Sequence, residues 1–227
     1  ICTDKTGTLT QNKMKVIQDE SNNQKLLAEA MALCSDAEIG EDDIEAIGEP
    51  TEAALVNFAN KIGLPKYKLE QEAPRIGEAP FDSMRKMMST VHNKNEKIIQ
   101  YTKGACEILL ERSTHYLDKD GQVVPMTEEI KEEVRRKNKE FADKALRLLG
   151  AAYREHDQVP ENFDAENLEK DLTFIGFVGM IDPCRPEVYD AIKECRKAGI
   201  RPVMITGDHI DTAVAIGKDV ARVKDAS

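Results

Sequence analysis

The chain opens ICTDKTGTLT, residues Ile1–Thr10. A short apolar lead delivers one carboxylate, Asp4, into a turn of lysine, threonine and glycine. Ile-Cys-Thr reads as the end of a strand running into a loop. In α/β folds that end of a strand is where ligands gather. A loop of small hydroxyl residues with one glycine, here Gly7, can wrap backbone N–H groups around an anion. A carboxylate held there can act as a nucleophile toward a phosphoryl group. The same residues also suit a turn aspartate that bonds its own loop.

Composition bounds what surrounds this loop. The 227 residues suffice for one large domain or two small ones. Hydrophobic residues are 41% and charged residues 33%, ordinary for a soluble globular chain. Lys and Arg number 32 against 42 Asp and Glu, a net charge of −10. That acidity argues against a nucleic-acid partner, because phosphate contacts need a basic surface. The longest apolar run, FIGFVGMI at Phe174–Ile181, is far shorter than the roughly 20 residues of a membrane-crossing helix. No basic-then-apolar leader opens the chain, so neither a span nor a signal peptide is expected. Cys2, Cys34, Cys106, Cys184 and Cys195 are scattered without a C-x-x-C pair, which fits a reducing cytosolic setting better than zinc or disulfides. His92, His115, His156 and His209 show no metal-ligand spacing and read as surface or loop residues.

Periodicity then divides the chain. NQKLLAEAMALCSDAEI reads as a helix through Leu26, Leu27, Ala30, Met31 and Cys34. GEPTEAALVNFANKIG reads as a second, with Glu52 in its first turn and Gly63 at its end. FDSMRKMMSTVHNKNEKIIQYTKGA places two strand-like runs around polar NKNE, an antiparallel hairpin. TEEIKEEVRRKNKEFADKALRLLGAAYR reads as one long amphipathic helix capped by Thr127, with Ile130, Val134, Phe141, Ala145 and Leu148 on one stripe. The last third alternates apolar strand and helix: FIGFVGMID, PEVYDAIKECRKAG, RPVMITGD and HIDTAVAIGKDVARV, which predicts a parallel α/β sheet. The α/β style at both ends and α+β style between them predict one domain inserted into another.

Seven consecutive residues, DKTGTLT from Asp4 to Thr10, match the phosphorylation motif of the P-type ATPases, the ion-pumping branch of the haloacid-dehalogenase-like superfamily. GEPTEAAL, FDSMRKMMS, YTKGA, ALRLLGAAYR, IDPCRPEV and MITGD resemble further family stretches, in the family's order, and the wording of the first two resembles calcium pumps. Only the acidic stretches near 36–47 and 157–170 carry no such resemblance.

The resemblance implies roles. Asp4 receives the γ-phosphate of ATP, and Thr6 holds the phosphate and, with Asp4, a magnesium ion. Thr206 and Gly207 contact phosphate, and Asp208 lies near the metal. Phe81 stacks on adenine, Glu52 bonds near the adenine amine, and Lys103 with Gly104 lines the cleft floor. Arg147, Lys86 and Arg185 reach phosphates, and Asp182 with Arg185 forms a hinge. Each residue type also has a plainer use: Asp208 as a helix cap, Phe81 in a core, Lys103 and Arg147 on a solvated surface, Glu52 as a dipole charge, Arg185 in an interdomain ion pair. Ser83 stands where some family members carry arginine. Related phosphatases place a general acid two residues after the nucleophile; Thr6 stands there instead, which predicts a long-lived acyl phosphate.

The expected organisation is a nucleotide-binding domain, residues 13–183, with an antiparallel sheet and flanking helices. It is inserted into a partial Rossmann-type phosphorylation domain formed by residues 1–12 and 184–227. The family's later phosphate-binding lysine and GDGxNDxP loop do not appear, so a headpiece fragment with little turnover of its own is expected. Its partners would be ATP, a transported cation (calcium on this wording) bound by transmembrane helices elsewhere, and the pump's other domains on the cytoplasmic side of a membrane. A free-standing phosphatase of the same superfamily and a non-catalytic nucleotide-binding module are the alternatives.

Overall fold

The structure, a computed structural model, describes residues 1–39, 44–207 and 210–221. The chain begins with β1 (Cys2–Asp4), a tight loop (Lys5–Leu9) with non-helical backbone at Thr6 and Gly7, and β2 (Lys15–Ser21). Three helices follow: α1 (Gln24–Leu33), α2 (Pro50–Lys61) and α3 (Lys66–Glu72). A three-strand meander comes next, β3 (Arg75–Asp82), β4 (Met87–Lys94) and β5 (Lys97–Gly104). Then come α4 (Cys106–Arg112), β6 (Ser113–Leu117), β7 (Val123–Pro125), α5 (Glu128–Ala142) and β8 (Arg147–His156). The last elements are α6 (Ala165–Leu168), β9 (Leu172–Ile181), α7 (Pro186–Lys197), β10 (Val203–Ile205) and α8 (Ile210–Ala221).

Local chemistry sets many of these ends. Asn23 accepts from Leu26 N at 3.0 Å and starts α1. Pro50 opens α2 and Gly63, at φ +83°, follows its end. The predicted hairpin forms with Asn95 and Glu96 both at positive φ, the geometry of a tight turn whose twist matches its strands.

Eight strands make one mixed sheet in the order β3-β4-β5-β8-β9-β6-β7, with β2 added to β9. Strand β9 is its axis. One edge pairs with β8; on the other, β6 takes residues 172–174 and β2 takes 176–181. Helices α1 to α3 cover one face, where Leu27, Met31 and Leu55 pack on Met88, Tyr101 and Val178. Helices α4 and α5 cover the other, where Leu109 and Phe141 pack on Met87, Phe174 and Phe177. Burying each such side chain is worth about 1.5–3 kcal/mol.

Keeping both faces apolar requires a phase change in β9. Phe174 and Ile175 face opposite cores, yet so do Phe177 and Val178 with the parity reversed. The register shifts between Ala151 and Ala152 on β8, leaving one extra residue on β9. Gly176 sits at that point with φ +154°, and a Cβ there would lie 2.2 Å from the Glu20 carbonyl. Only glycine fits between β2 and β8 in this register.

At the chain's two ends, β1 pairs in parallel with β10, matching Asp4 to Ile205. Leu9, Cys184, Val188, Ile216 and Val220 form a separate small core beneath that pair.

Several expectations are corrected. The long helix stops at Ala142: Ala145 is left-handed at φ +57°, and residues 147–156 form β8. Thr127 does cap α5, and Val134 and Phe141 are buried in its stripe, but Leu148 is a strand residue. Pairing on both edges with β5 and β9 outweighs the helical spacing of that segment. Strand β9 belongs to the large sheet and is parallel only to β6, not part of a parallel α/β sheet with β10. The first predicted helix ends at Leu33, so Cys34 caps it.

The histidines also differ. His115 is exposed, but His156 is half-buried with Nε2 2.9 Å from Gln100 Oε1. His209 lies outside the described residues. His92 is buried at 1% exposure, with Nδ1 2.9 Å from Ala73 O and Nε2 2.9 Å from Thr90 Oγ1. Burial pulls its pKa down to about 4, outweighing the bond to the Ala73 carbonyl. The folded state therefore binds fewer protons than the unfolded chain between pH 6.5 and about 4. Stability from this site is complete above that window and falls as pH drops through it. Comparing denaturant unfolding at pH 7 and pH 4, the wild type is expected to lose about 3 kcal/mol more than His92→Gln.

Candidate functional site

The Asp4 loop leaves β1 and closes on itself. Asp4 is exposed, and its Oδ1 accepts from Lys5 N at 2.8 Å. Gly7 is left-handed at φ +76°, and its N–H donates to Thr10 Oγ1 at 3.3 Å. Thr6 is exposed beside it. Because Asp4 aligns with Ile205, Thr206 and Gly207 leave the sheet next to Lys5 and Thr6. Four expected phosphate-site residues therefore share one sheet end. Asp208, the fifth, lies outside the described residues.

A second segment latches this loop. The Thr10 hydroxyl donates to Asp182 Oδ2 at 2.6 Å, and Gln11 N donates to Pro183 O at 3.0 Å. Arg185 N donates to Leu9 O at 2.8 Å, and its Nη2 donates to Gly7 O at 2.9 Å. Arg185, expected on a phosphate or a carboxylate, thus holds a loop carbonyl.

The remaining candidates collect at one end of the large sheet. Asp82, Met87, Gly104 and Gly150 form a single row across β3, β4, β5 and β8. Phe81 precedes that row, Lys86 and Lys103 adjoin it, and Arg147 enters β8 three residues outside it. Phe81 is 60% exposed, unlike a core phenylalanine. Lys86 and Arg147 make no side-chain hydrogen bond or ion pair among the described residues, so both cations are open to an anion. Gly104 is needed for close packing, since a Cβ would lie 2.6 Å from Lys86 O.

Lys103 points the other way from a solvated lysine. It is buried on the α1–α3 face, donates to Ser35 Oγ at 3.2 Å and forms an ion pair with Glu52. Glu52 also accepts from Asp36 N at 2.8 Å. Glu49 fixes this helix start by accepting from Thr51 N at 2.8 Å. The sequence reading missed what sits around this pair. Lys66 Nζ donates to Ser35 O and Ala37 O at 2.7 and 2.8 Å, and Arg75 Nη2 donates to Ser35 O at 2.8 Å. These cations satisfy carbonyls at the negative end of α1. Polar residues at 35, 66 and 75 gave no periodic signal, because their partners are backbone atoms distant in sequence. Cys34 lies beneath; burial pushes its thiol up despite the nearby Lys103 charge, so it is no thiolate nucleophile.

Asp4 and the Thr6 carbonyl are oxygen donors of the kind magnesium takes, and magnesium commonly keeps several waters and phosphate oxygens. Among the described residues no cluster of three or more acidic, histidine or cysteine side chains is set for a metal. The described residues therefore fit part of a magnesium shell. A concavity of about 990 Å³ between β2 and α2, lined by Lys15, Ile17, Ile47 and Phe58, contains none of the expected residues.

Comparison with known proteins agrees with these motifs. A family model described as P-type ATPase, cytoplasmic domain N, matches residues 23–187. Calcium-transporting ATPase 1 of Bacillus cereus is 46% identical, over 99% of this chain and 26% of its own length. Calcium-transporting ATPase 1 of Lactococcus lactis is 43% identical over 97% of this chain and 26% of its own. Calcium-transporting ATPase PAT1 of Dictyostelium discoideum is 37% identical over 96% and 21%. The chain spans about a quarter of the length of such relatives.

Removing the Lys103 cation strands a largely buried carboxylate. Lys103→Met is expected to cost about 2–3 kcal/mol in denaturant unfolding. Glu52→Gln is expected to cost a similar amount, because its one acceptor oxygen cannot serve both Asp36 N and the more deeply buried Lys103 ammonium.

Proposed function

The chain belongs to the P-type ATPase family, and we propose that it is the ATP-binding headpiece of a calcium-transporting pump, with Asp4 as the residue phosphorylated. The observation that carries this reading is the exposed Asp4 carboxylate at the end of β1, beside Thr206 and Gly207 of the parallel strand. Calcium is favoured because the relatives just described are named for it.

Residues 13–183 are taken as the nucleotide-binding domain, inserted between the two parts of a haloacid-dehalogenase-like phosphorylation domain, 1–12 and 184–227. The pairing of β1 with β10 and their shared apolar cluster support that division. No helix among the described residues is long and apolar enough to cross a membrane. The transported cation would then bind in other parts of the pump, with this headpiece on the cytoplasmic side.

ATP would lie at the sheet end described above. Phe81 stacks on the adenine, Glu52 accepts from its amine, and Lys103 with Gly104 forms the floor. Lys86 and Arg147 balance the triphosphate charge. Lys5 N–H fixes Asp4 Oδ1, leaving Oδ2 to attack the γ-phosphorus. The bond from phosphorus to the β,γ-bridging oxygen breaks, ADP leaves with the electron pair, and an acyl phosphate remains on Asp4. Thr206 and Gly207 accompany the transferred phosphoryl group. Magnesium, held by Asp4 and the Thr6 carbonyl, would offset charge on the phosphates. Thr6 carries no acidic proton for hydrolysis, which withholds roughly 10²–10⁴-fold of general acid–base assistance. The acyl phosphate persists long enough to be coupled to a change of shape.

ATP titration followed by amide NMR shifts is expected to move residues near Glu52, Phe81, Lys86 and Lys103. Phe81→Ala is expected to weaken binding about tenfold, the upper range of an aromatic stack. Asp4→Asn should bind ATP as the wild type does, yet abolish acid-stable radiolabel from γ-labelled ATP in the full-length pump. Retained label in that variant would refute the assignment of Asp4.

A further inference from the structure

The loop that carries Phe81 and Lys86 has little core of its own. Phe81 is 60% exposed and Met84 is 88% exposed, so apolar burial does not fix its shape. Polar ties do. Asp82 Oδ1 accepts from Met84 N at 2.9 Å and Arg85 N at 2.8 Å, and Lys86 N donates to Asp82 O at 2.6 Å. Lys86 is left-handed at φ +54°, a conformation a long side chain adopts only where neighbours enforce it. These bonds close the turn on itself, and its two ends are held to the sheet by the Asp82–Met87 pairing and by Ala105 N, which donates to Lys86 O at 3.1 Å, but none of them ties down its middle, Ser83 to Arg85.

Arg85 supplies a side-chain tie from the middle of the turn. Its Nη2 donates to Pro80 O at 2.8 Å, and its Nη1 forms an ion pair with Glu169. The Glu169 side chain is 2% exposed while that of Arg85 is 30% exposed. A carboxylate that deep is tolerated only with a partner, and the ion pair it forms among the described residues is with Arg85. Glu169 is itself held rigidly. Its N–H donates to Ala165 O at 2.8 Å, Arg112 Nη1 donates to its carbonyl at 3.3 Å, and Gln100 Nε2 grips the adjacent Leu168 carbonyl at 2.8 Å. One end of the pair is therefore fixed to β5 and α6, and the other is in the loop. Fork geometry lets one guanidinium hold both a carboxylate and a carbonyl in fixed directions.

We infer that the ion pair between half-buried Arg85 and buried Glu169 sets the position of the Phe81–Lys86 turn, making Glu169 a positioning residue for nucleotide binding. The inference rests on the nucleotide-binding reading above. Glu169 touches no part of the bound nucleotide. It acts through Arg85 on the loop that presents the aromatic face and the Lys86 ammonium.

The test is a double-mutant cycle on this chain, read by ATP titration with thermal unfolding as a folding control. Glu169→Gln is expected to raise the Kd for ATP about fivefold in the wild-type background and by clearly less in Phe81→Ala, where only the part of the effect carried by Lys86 remains. Amide shifts in the free protein should move in residues 80–86. If Glu169→Gln does not fold, R85M/E169L removes both charges together and carries the same test. Wild-type affinity in the variant, or an equal loss in both backgrounds, would overturn the inference and leave nucleotide binding standing. A wild-type chain that binds no ATP would overturn both.

Discussion

Strand β9 is the constraint to which the rest of the large sheet answers. It is buried along nearly its whole length, so both faces and both edges must be satisfied at once. Two different strands share one edge because neither β6 nor β2 is placed to pair with all of it. The extra residue beside Gly176 lets the side-chain phase reverse where the edge partner changes. Without it, Phe177 and Val178 would exchange cores, and the helical layers on the two faces would lose their complementary surfaces. The sheet end that gathers Phe81, Lys86, Lys103 and Arg147 inherits its register from this axis through β8 and β5.

On that frame, helix α1 organises the side of the sheet that holds Lys103. Its carboxyl end carries carbonyls without helical partners, and Lys66, Arg75 and Lys103 converge on the segment from residue 33 to 37. Cations suit that end of a helix dipole. The arrangement sets Lys103 within reach of Glu52 at the opposite, amino end of α2, where negative charge is favoured. Two helix ends of opposite polarity thus face one another across a single ion pair.

Much of this was legible in the chain. The ICTDKTGTLT stretch reads as a strand end running into a small-residue loop and RPVMITGD as a strand, and β1 and β10 lie there. NKNE announced its turn, Thr127 its helix, and Gly63 a helix end. The illegible parts share a physical cause. Residues 145–148 have helical spacing, but strands far away in sequence decide their conformation. His92 looks like any polar residue until its partners, Ala73 O and Thr90 Oγ1, are brought to it by folding. Glu169 sits in the acidic stretch 157–170 that carries no family resemblance, and only tertiary burial distinguishes it from its neighbours. For the candidate site, motif wording supplied residue types, while the Glu52–Lys103 contact and the Arg185 latch required coordinates.

The latch between the two chain crossings carries a consequence for how such a molecule is assembled. Thr10 and Cys184 form an isolated antiparallel bridge, and Gln11 bonds both Pro183 and Cys184. A long excursion of polypeptide therefore departs and returns through the same doorway. Closing so long a loop costs entropy that grows only logarithmically with its length. Whatever grows, shrinks or is exchanged within the excursion leaves the doorway's width untouched, and a short tether would suffice to seal it. That is the geometry of a long excursion pinned at its base, whose content can vary without loosening the pin.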